Sequence, residues 1–335
     1  MMALDDTASA GLWTLAWRRL RADRVAMVAL AIVVGFLCLL GLSGSGLVAA
    51  DWEREVGVNY APPGFAGADA AGTAVQAANV ALPPNPFDPL AGDIAALARN
   101  GAIVAPAAKR TTLPFGADKW GHDIVKKTIK GGQTSIVVGL GAALLAVVLG
   151  TLFGAVAGFY GGFVDDLFNW FYSIFTSIPS ILMILTVAAV LQQKGVLTIV
   201  LILGLTGWTG PFRLIRAEYI KHKGREYVLA AHAIGASDLR KMFSHIFPNV
   251  SHVALVQLSI LVVGFIKAEV ILSFLGFGVP VGTVSWGSML NEAQNELILG
   301  KWWQLVAAAS AMALLVTAFS LLTDALRDAL DPKLT

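Results

Sequence analysis

Long uncharged runs dominate this chain and decide which solvent it folds in. Residues 25–50, 131–164, 167–193, 195–212, 242–266, 270–291 and 302–323 contain no Asp, Glu, Lys or Arg. A helix needs about 20 mostly apolar residues to cross a bilayer, and a soluble fold cannot bury so many such segments. Composition agrees: 56% of the 335 residues are hydrophobic and 14% charged, about half the usual soluble share of charge. Lipid is therefore the solvent for much of the chain. The two runs split by Lys267 and Glu269 join. Trimming polar and Gly-rich ends then predicts six spans, near 25–45, 135–159, 170–191, 196–214, 252–276 and 302–323.

The same numbers exclude several classes. A net charge of +2 argues against nucleic acid as a partner, which would require a concentrated basic face. The single cysteine, Cys38, lies inside an apolar run, so neither a disulfide framework nor a thiolate cluster is available. No catalytic residue and no metal site is expected.

Lys and Arg in the short flanks set the orientation. Arg18, Arg19, Arg21 and Arg24 precede the first span; Arg213, Arg216, Lys221, Lys223, Arg225, Arg240 and Lys241 stand between spans four and five. Both segments are expected in the cytoplasm, which with six spans also puts Arg327 and Lys333 inside. Trp13, Trp17 and Leu20 share one helical face among the arginines, which predicts an interfacial helix leading into an uncleaved first span. The expected divisions are a cytoplasmic amphipathic segment (1–24), a first span (25–50), an extracytoplasmic loop (51–130), a membrane domain (131–325) and a cytoplasmic tail (326–335). Within the loop, 51–114 hold eight of the thirteen prolines and show no lasting period. Two readings stand there: a disordered loop or an irregular cap over the membrane entrance.

The segment 217–249 is the most informative. Glu226 to Ile234 suits a helix, with small residues at Ala230, Ala231 and Ala233, and Gly235 can provide a left-handed stop. Ser237 is placed to cap a following helix, and Asp238 complements its positive end. Leu239, Met242, Phe243 and Ile246 then recur at helical spacing, and Pro248 is expected to end that helix before span five. From pattern alone this is an amphipathic cytoplasmic hairpin or a docking element.

The pattern Glu-x-x-x-Ala-Ala-x-x-x-Gly, followed by Ile-x-Pro, resembles the coupling motif of bacterial ABC importer permeases, here Glu226, Ala230, Ala231, Gly235, Ile246 and Pro248. Further stretches resemble the C-type subunit of oligopeptide and dipeptide permeases: 113–123 (Leu-Pro-Phe-Gly-Ala-Asp-Lys-Trp-Gly-His-Asp), 158–165 (Gly-Phe-Tyr-Gly-Gly-Phe-Val-Asp), 273–278, 285–287 and 326–333. The resemblance covers roughly residues 110–335 and, more loosely, the N-terminus. It implies an all-α membrane protein with the type I ABC importer permease fold, six transmembrane helices, cytoplasmic coupling helices and an irregular outer loop. It implies ATP-driven import of short peptides across the bacterial inner membrane by alternating access, with a homologous permease subunit, two ABC ATPases and a periplasmic binding protein. The residues expected to meet the ATPase are Glu226, Ala230, Ala231, Gly235, Ala236, Asp238, Ile246 and Pro248. The chain contains no Gly-x-x-x-x-Gly-Lys-[Ser/Thr] loop, so ATP and Mg belong to the partners, and no cofactor is expected on this chain.

Three features stay open. Gly150, Gly154 and Gly158 form a stripe for close helix approach, either within this subunit or against its partner. Pro179 and Pro211 can kink spans three and four. Lys267 and Glu269 are ionisable residues deep in a span, which marks a pathway or a subunit interface. Glu269 fits the family pattern; Lys267 departs from it, where a small residue is usual. Other readings are the same permease role with a non-peptide solute such as nickel, or a secondary transporter, which would need an internal inverted repeat.

Overall fold

The computed structural model describes residues 12–67, 109–191, 193–280 and 282–330. No β-strand occurs among them, only isolated bridges. Helix α1 (Leu12–Ala22) leads into α2 (Arg24–Gly44), whose first turn is capped by Asp23 accepting from the amides of Val25 and Ala26. Helix α3 (Ile124–Tyr160) begins on the Asp23-like cap Asp123 and runs 37 residues, about 55 Å at 1.5 Å per residue. It is the mast of the fold. A bilayer core is about 30 Å thick, so α3 extends well past it, and the expected start near 135 was eleven residues late: Ile124 begins the helix.

Helices α4 (Gly162–Ser177) and α5 (Ser180–Leu191) meet at 86°. Pro179 forces the break, because it pushes Ile178 into an extended conformation. Helices α6 (Val196–Thr206) and α7 (Thr209–Lys223) meet at 41°. Pro211 does not make that bend: it sits in the first turn of α7, where a missing N–H costs little. Helix α8 (Glu226–Ala233) follows, then α9 (Asp238–Phe274), α10 (Trp286–Ile298) and α11 (Trp303–Leu330). Four helices, α2, α3, α9 and α11, are long and apolar enough to cross a membrane, and there are up to six crossings if each bent pair is one span.

The expected stop at Pro248 is overturned. Residues 241–246 form a π-helical turn, and the helix continues from Phe247 to Phe274. Pro248 has no N–H to donate and its ring crowds the preceding turn; the wide π turn just before it absorbs that mismatch without ending the helix.

The glycine stripe of α3 packs within this chain. A methyl group at Gly150 would stand 2.5 Å from the Trp208 carbonyl oxygen, at Gly154 2.7 Å from that of Phe212, and at Gly158 2.7 Å from that of Arg216. Both rows step by four residues, so α3 and α7 lie backbone to backbone. Ala142, Ala143, Ala146, Ala155 and Ala157 are buried along the same mast. At its start, 51–67 and 109–123 pair through the bridges Glu55–His122, Gly57–Arg110 and Pro63–Leu113. The two ends of the long loop are thus folded together, while its middle, 68–108, lies outside the described residues, as does the tail with Lys333.

Candidate functional site

The 217–249 segment gathers at the C-terminal end of α3. Gly235 has φ +84°, and two bonds close the end of α8: Ala236 N–H to Ala231 O and Gly235 N–H to His232 O, both 3.0 Å. This pair is the Schellman arrangement, which needs a left-handed residue at Gly235. Ser237 Oγ accepts from Arg240 N at 3.4 Å. Val228 and Ala231 face inward, onto the buried Tyr219, Met242 and Ile246. Tyr219 Oη donates to Met242 O in the π turn at 3.1 Å. Lys241 Nζ pairs with Asp238 Oδ1 at 2.8 Å, donates to His232 Nδ1 at 3.1 Å and lies over the Phe159 ring. The outward face is apolar: Leu229 and Phe243 are exposed, Leu239 is 65% and Ile234 85% exposed.

Of the expected residues, Glu226, Ala230, Gly235, Asp238 and Pro248 are exposed, Ala236 is half-buried, and Ala231 and Ile246 are buried. One surface therefore holds most of them, and the buried two support it from beneath. A residue pair that sequence reasoning missed anchors the base: Arg216 donates to Asp165 through Nε at 2.5 Å and Nη2 at 2.6 Å. Asp165 closes the Gly-Gly turn of 158–165, and its place in that motif was the available signal.

The opposite end of α3 holds a closed polar cluster. Lys127 Nζ donates to Asp118 Oδ2 at 2.7 Å, Glu292 Oε2 at 2.6 Å and Gln304 Oε1 at 3.2 Å. Asp118 also accepts from the amides of Trp120 and His122, and His122 Nδ1 lies 2.8 Å away. Burial works to raise the Asp118 pKa, yet the Lys127 ammonium and these donors hold it below the usual carboxylate value. Trp303 Nε1 donates to Ala117 O and Trp286 Nε1 to Thr128 O. The cluster thus joins the loop, α3, α10 and α11. Beside it Glu296 is 2% exposed, with neither carboxylate oxygen hydrogen-bonded among the described residues. Burial pushes its pKa up to about 7; Asp118 and Glu292 add to this and Lys127 opposes it.

Lys267 and Glu269 part company near the C-terminal end of α9. Glu269 is wholly buried, with Ser273 Oγ donating to its Oε1 at 2.6 Å, whereas Lys267 is exposed. Gly287 fits against Val270 and Ser273 of the same helix: a methyl group there would stand 2.5 Å from Val270 O and 2.6 Å from Ser273 Cβ, so 285–287 packs closely on the end of α9.

No group of three or more His, Cys, Asp or Glu able to hold a metal occurs among the described residues. The fold and this site define a polytopic helical membrane protein with an apolar, basic-rimmed hairpin at one end and a polar lock at the other. The chain belongs to the family of binding-protein-dependent transport system inner membrane components, whose pattern matches residues 150–335, more than half its length. That family provides a membrane permease, not a catalytic enzyme. Residues 11–63 match the N-terminal TM domain of oligopeptide transport permease C.

Named relatives extend the match. The chain is 37% identical over 220 residues to the dipeptide transport system permease protein DppC of Bacillus subtilis (strain 168), covering 66% of this chain and 68% of the relative. It is equally identical to the oligopeptide transport system permease protein OppC of the same organism, over 66% and 72% of the two chains. The dipeptide transport system permease protein DppC of Lactococcus lactis subsp. cremoris (strain MG1363) is 30% identical over 331 residues, 95% of this chain and 90% of the relative.

Proposed function

We propose that this chain is one permease subunit of an ATP-driven importer of short peptides in the bacterial inner membrane. The observation that carries the substrate class is the near full-length similarity to a dipeptide permease. In this reading each bent helix pair is one span, giving six, with both termini in the cytoplasm. A homologous permease completes the pathway, two ABC ATPases bind ATP and Mg, and a periplasmic binding protein delivers the peptide.

The surface around α8 supports a mechanical role. It presents exposed Leu229, Ile234, Leu239 and Phe243 on a short helix tied to α7 and α9, and the latter runs without a break from Asp238 to Phe274. A push on α8 by an ATPase would travel through the Lys241–His232 contact and along α9 into the membrane, with the Tyr219–Met242 bond holding α7 to the same turn. Outward Ala230 and Gly235 let a partner groove approach closely. Lys267 is assigned to the pathway or the subunit interface, with Glu269 stabilising the same helix from inside.

Reconstitution with the partner ATPases and the binding protein tests this. Uptake of a labelled peptide should require ATP; uptake driven by an ion gradient without the ATPases would overturn it. Gly235→Leu strains the left-handed turn at φ +84° but meets open space and lies outside the spans, so it should insert normally yet lose coupled uptake. Lys267→Met with normal assembly and normal uptake would remove the role given to Lys267.

A further inference from the structure

Where α1 turns into α2, an apolar groove of about 320 Å³ opens between α2 and α11. Its walls are Val25, Val28 and Ile32 on one side and Leu314 and Leu321 on the other. Ala29 and Ala318 are buried at its floor. From Arg24 to Ile32 the groove follows eight residues of α2, about 12 Å. The walls are not self-covered, since Val28 is 61% exposed.

Charge marks one end only. Arg24 lines the mouth, and exposed Arg18 and Arg21 lie on the helix just before it. Arg21 sits over the exposed Trp17 ring, 5.9 Å from its centroid. Arg18 and Arg24 have no ion-pair or hydrogen-bond partner among the described residues. Asp23 spends its carboxylate on the α2 amides, and Asp328 lines a separate cleft with Arg19. These arginines also crowd the positive end of α2, where a cation is unfavourable and an anion welcome. Topology alone would explain basic residues here; it would not explain an open apolar channel ending on them.

We propose that this groove binds one anionic phospholipid, with an acyl chain between α2 and α11 and the headgroup phosphate on Arg24, supported by Arg18 and Arg21. A free anion would leave the apolar walls bare, and a zwitterionic lipid would leave the arginines uncompensated. Tryptophan at the headgroup level matches the same placement. The site is independent of what the chain transports.

Native mass spectrometry of the detergent-purified full chain, titrated with dioleoylphosphatidylglycerol or dioleoylphosphatidylcholine, provides the test. Phosphatidylglycerol should be retained at concentrations about a hundredfold lower. Arg24→Gln should weaken it about fivefold, and Arg24→Gln with Arg18→Gln and Arg21→Gln about a hundredfold, leaving phosphatidylcholine unchanged. Val28→Trp, at an exposed wall position, should expel both lipids. Equal retention of the two lipids, or phosphatidylglycerol binding untouched by Val28→Trp, overturns the site. So does full competition by millimolar inorganic phosphate, or a second copy of the chain seated on the groove and lost in Val28→Trp.

Discussion

The two ends of α3 lie about 48 Å apart, counted from Lys127 to Phe159, and solve opposite problems. At the Lys127 end charge is buried and almost every donor has an acceptor: one ammonium serves Asp118, Glu292 and Gln304. At the Phe159 end Lys241 is the buried charge, most other charged groups lie at the surface, and apolar side chains such as Ile234 and Leu239 project outward. The first arrangement is expensive to open, because separating buried charges exposes each to a poor dielectric. The second leaves an apolar face uncovered, which suits the docking role proposed for it. The force-transmitting role proposed above would use both, a fixed end and a graspable one.

The sharpest way to break the contrast is at the fixed end. Lys127→Met should leave the buried Asp118 carboxylate, and the half-buried Glu292 beside it, without their cation, a loss of about 3–5 kcal/mol, read as a fall in the detergent-solubilised unfolding temperature. Adding Asp118→Asn should restore part of it; a double variant less stable than the single would contradict the ion-pair account.

Next in size is a pH effect at the same end. Glu296 ordinarily titrates at 4.5 and in the folded chain near 7. Between those values the unfolded chain has released the proton and the folded chain still holds it, so stability falls as pH rises from 4.5 to 7. The full change is about 3 kcal/mol. Glu296→Gln should flatten that slope, and an unchanged slope would assign it to other groups. Smaller again is Gly154→Ala on the mast itself, where the added methyl would stand 2.7 Å from Phe212 O; overpacking of this kind costs about 1–3 kcal/mol, measured by the same unfolding assay.

How much of this was legible beforehand follows from the range of each interaction. Local rules carried α8, the Gly235 stop and the Ser237 cap, because each depends on residues within one turn. Hydropathy found the membrane helices yet missed the first eleven residues of α3, since Lys126, Lys127 and Lys130 read as loop charges. Lys127 is buried among Asp118, Gln304 and Glu292, the last two 177 and 165 positions away, and no local pattern carries that. Pro248 misled for a related reason: its stop signal is real, and a π turn at 241–246 cancels it. Asp118, Gly121 and Asp123 stand in a family-like motif. Its physical reason, a carboxylate wrapped by its own loop and a glycine at φ +89° against Gly57, is set by contacts between segments far apart in sequence.

The smallest expected effect on stability comes from the graspable end, and it sharpens the comparison most. Leu239 is 65% exposed on the short turn between Ser237 and the π segment, so its side chain contributes little to this chain's own core. Leu239→Ser should change the unfolding free energy by no more than about 0.5 kcal/mol, as surface substitutions usually do. If the outward apolar face is a partner's docking surface, the same change should weaken ATPase binding to the purified subunit and reduce coupled uptake, because interface anchors matter only in the complex. Stability and assembly would then separate at one residue, whereas the change at Lys127 is read in stability. A Leu239→Ser chain that unfolds several kcal/mol more easily would show that this face belongs to the core. One that retains full ATPase binding would move the docking surface elsewhere on 217–249.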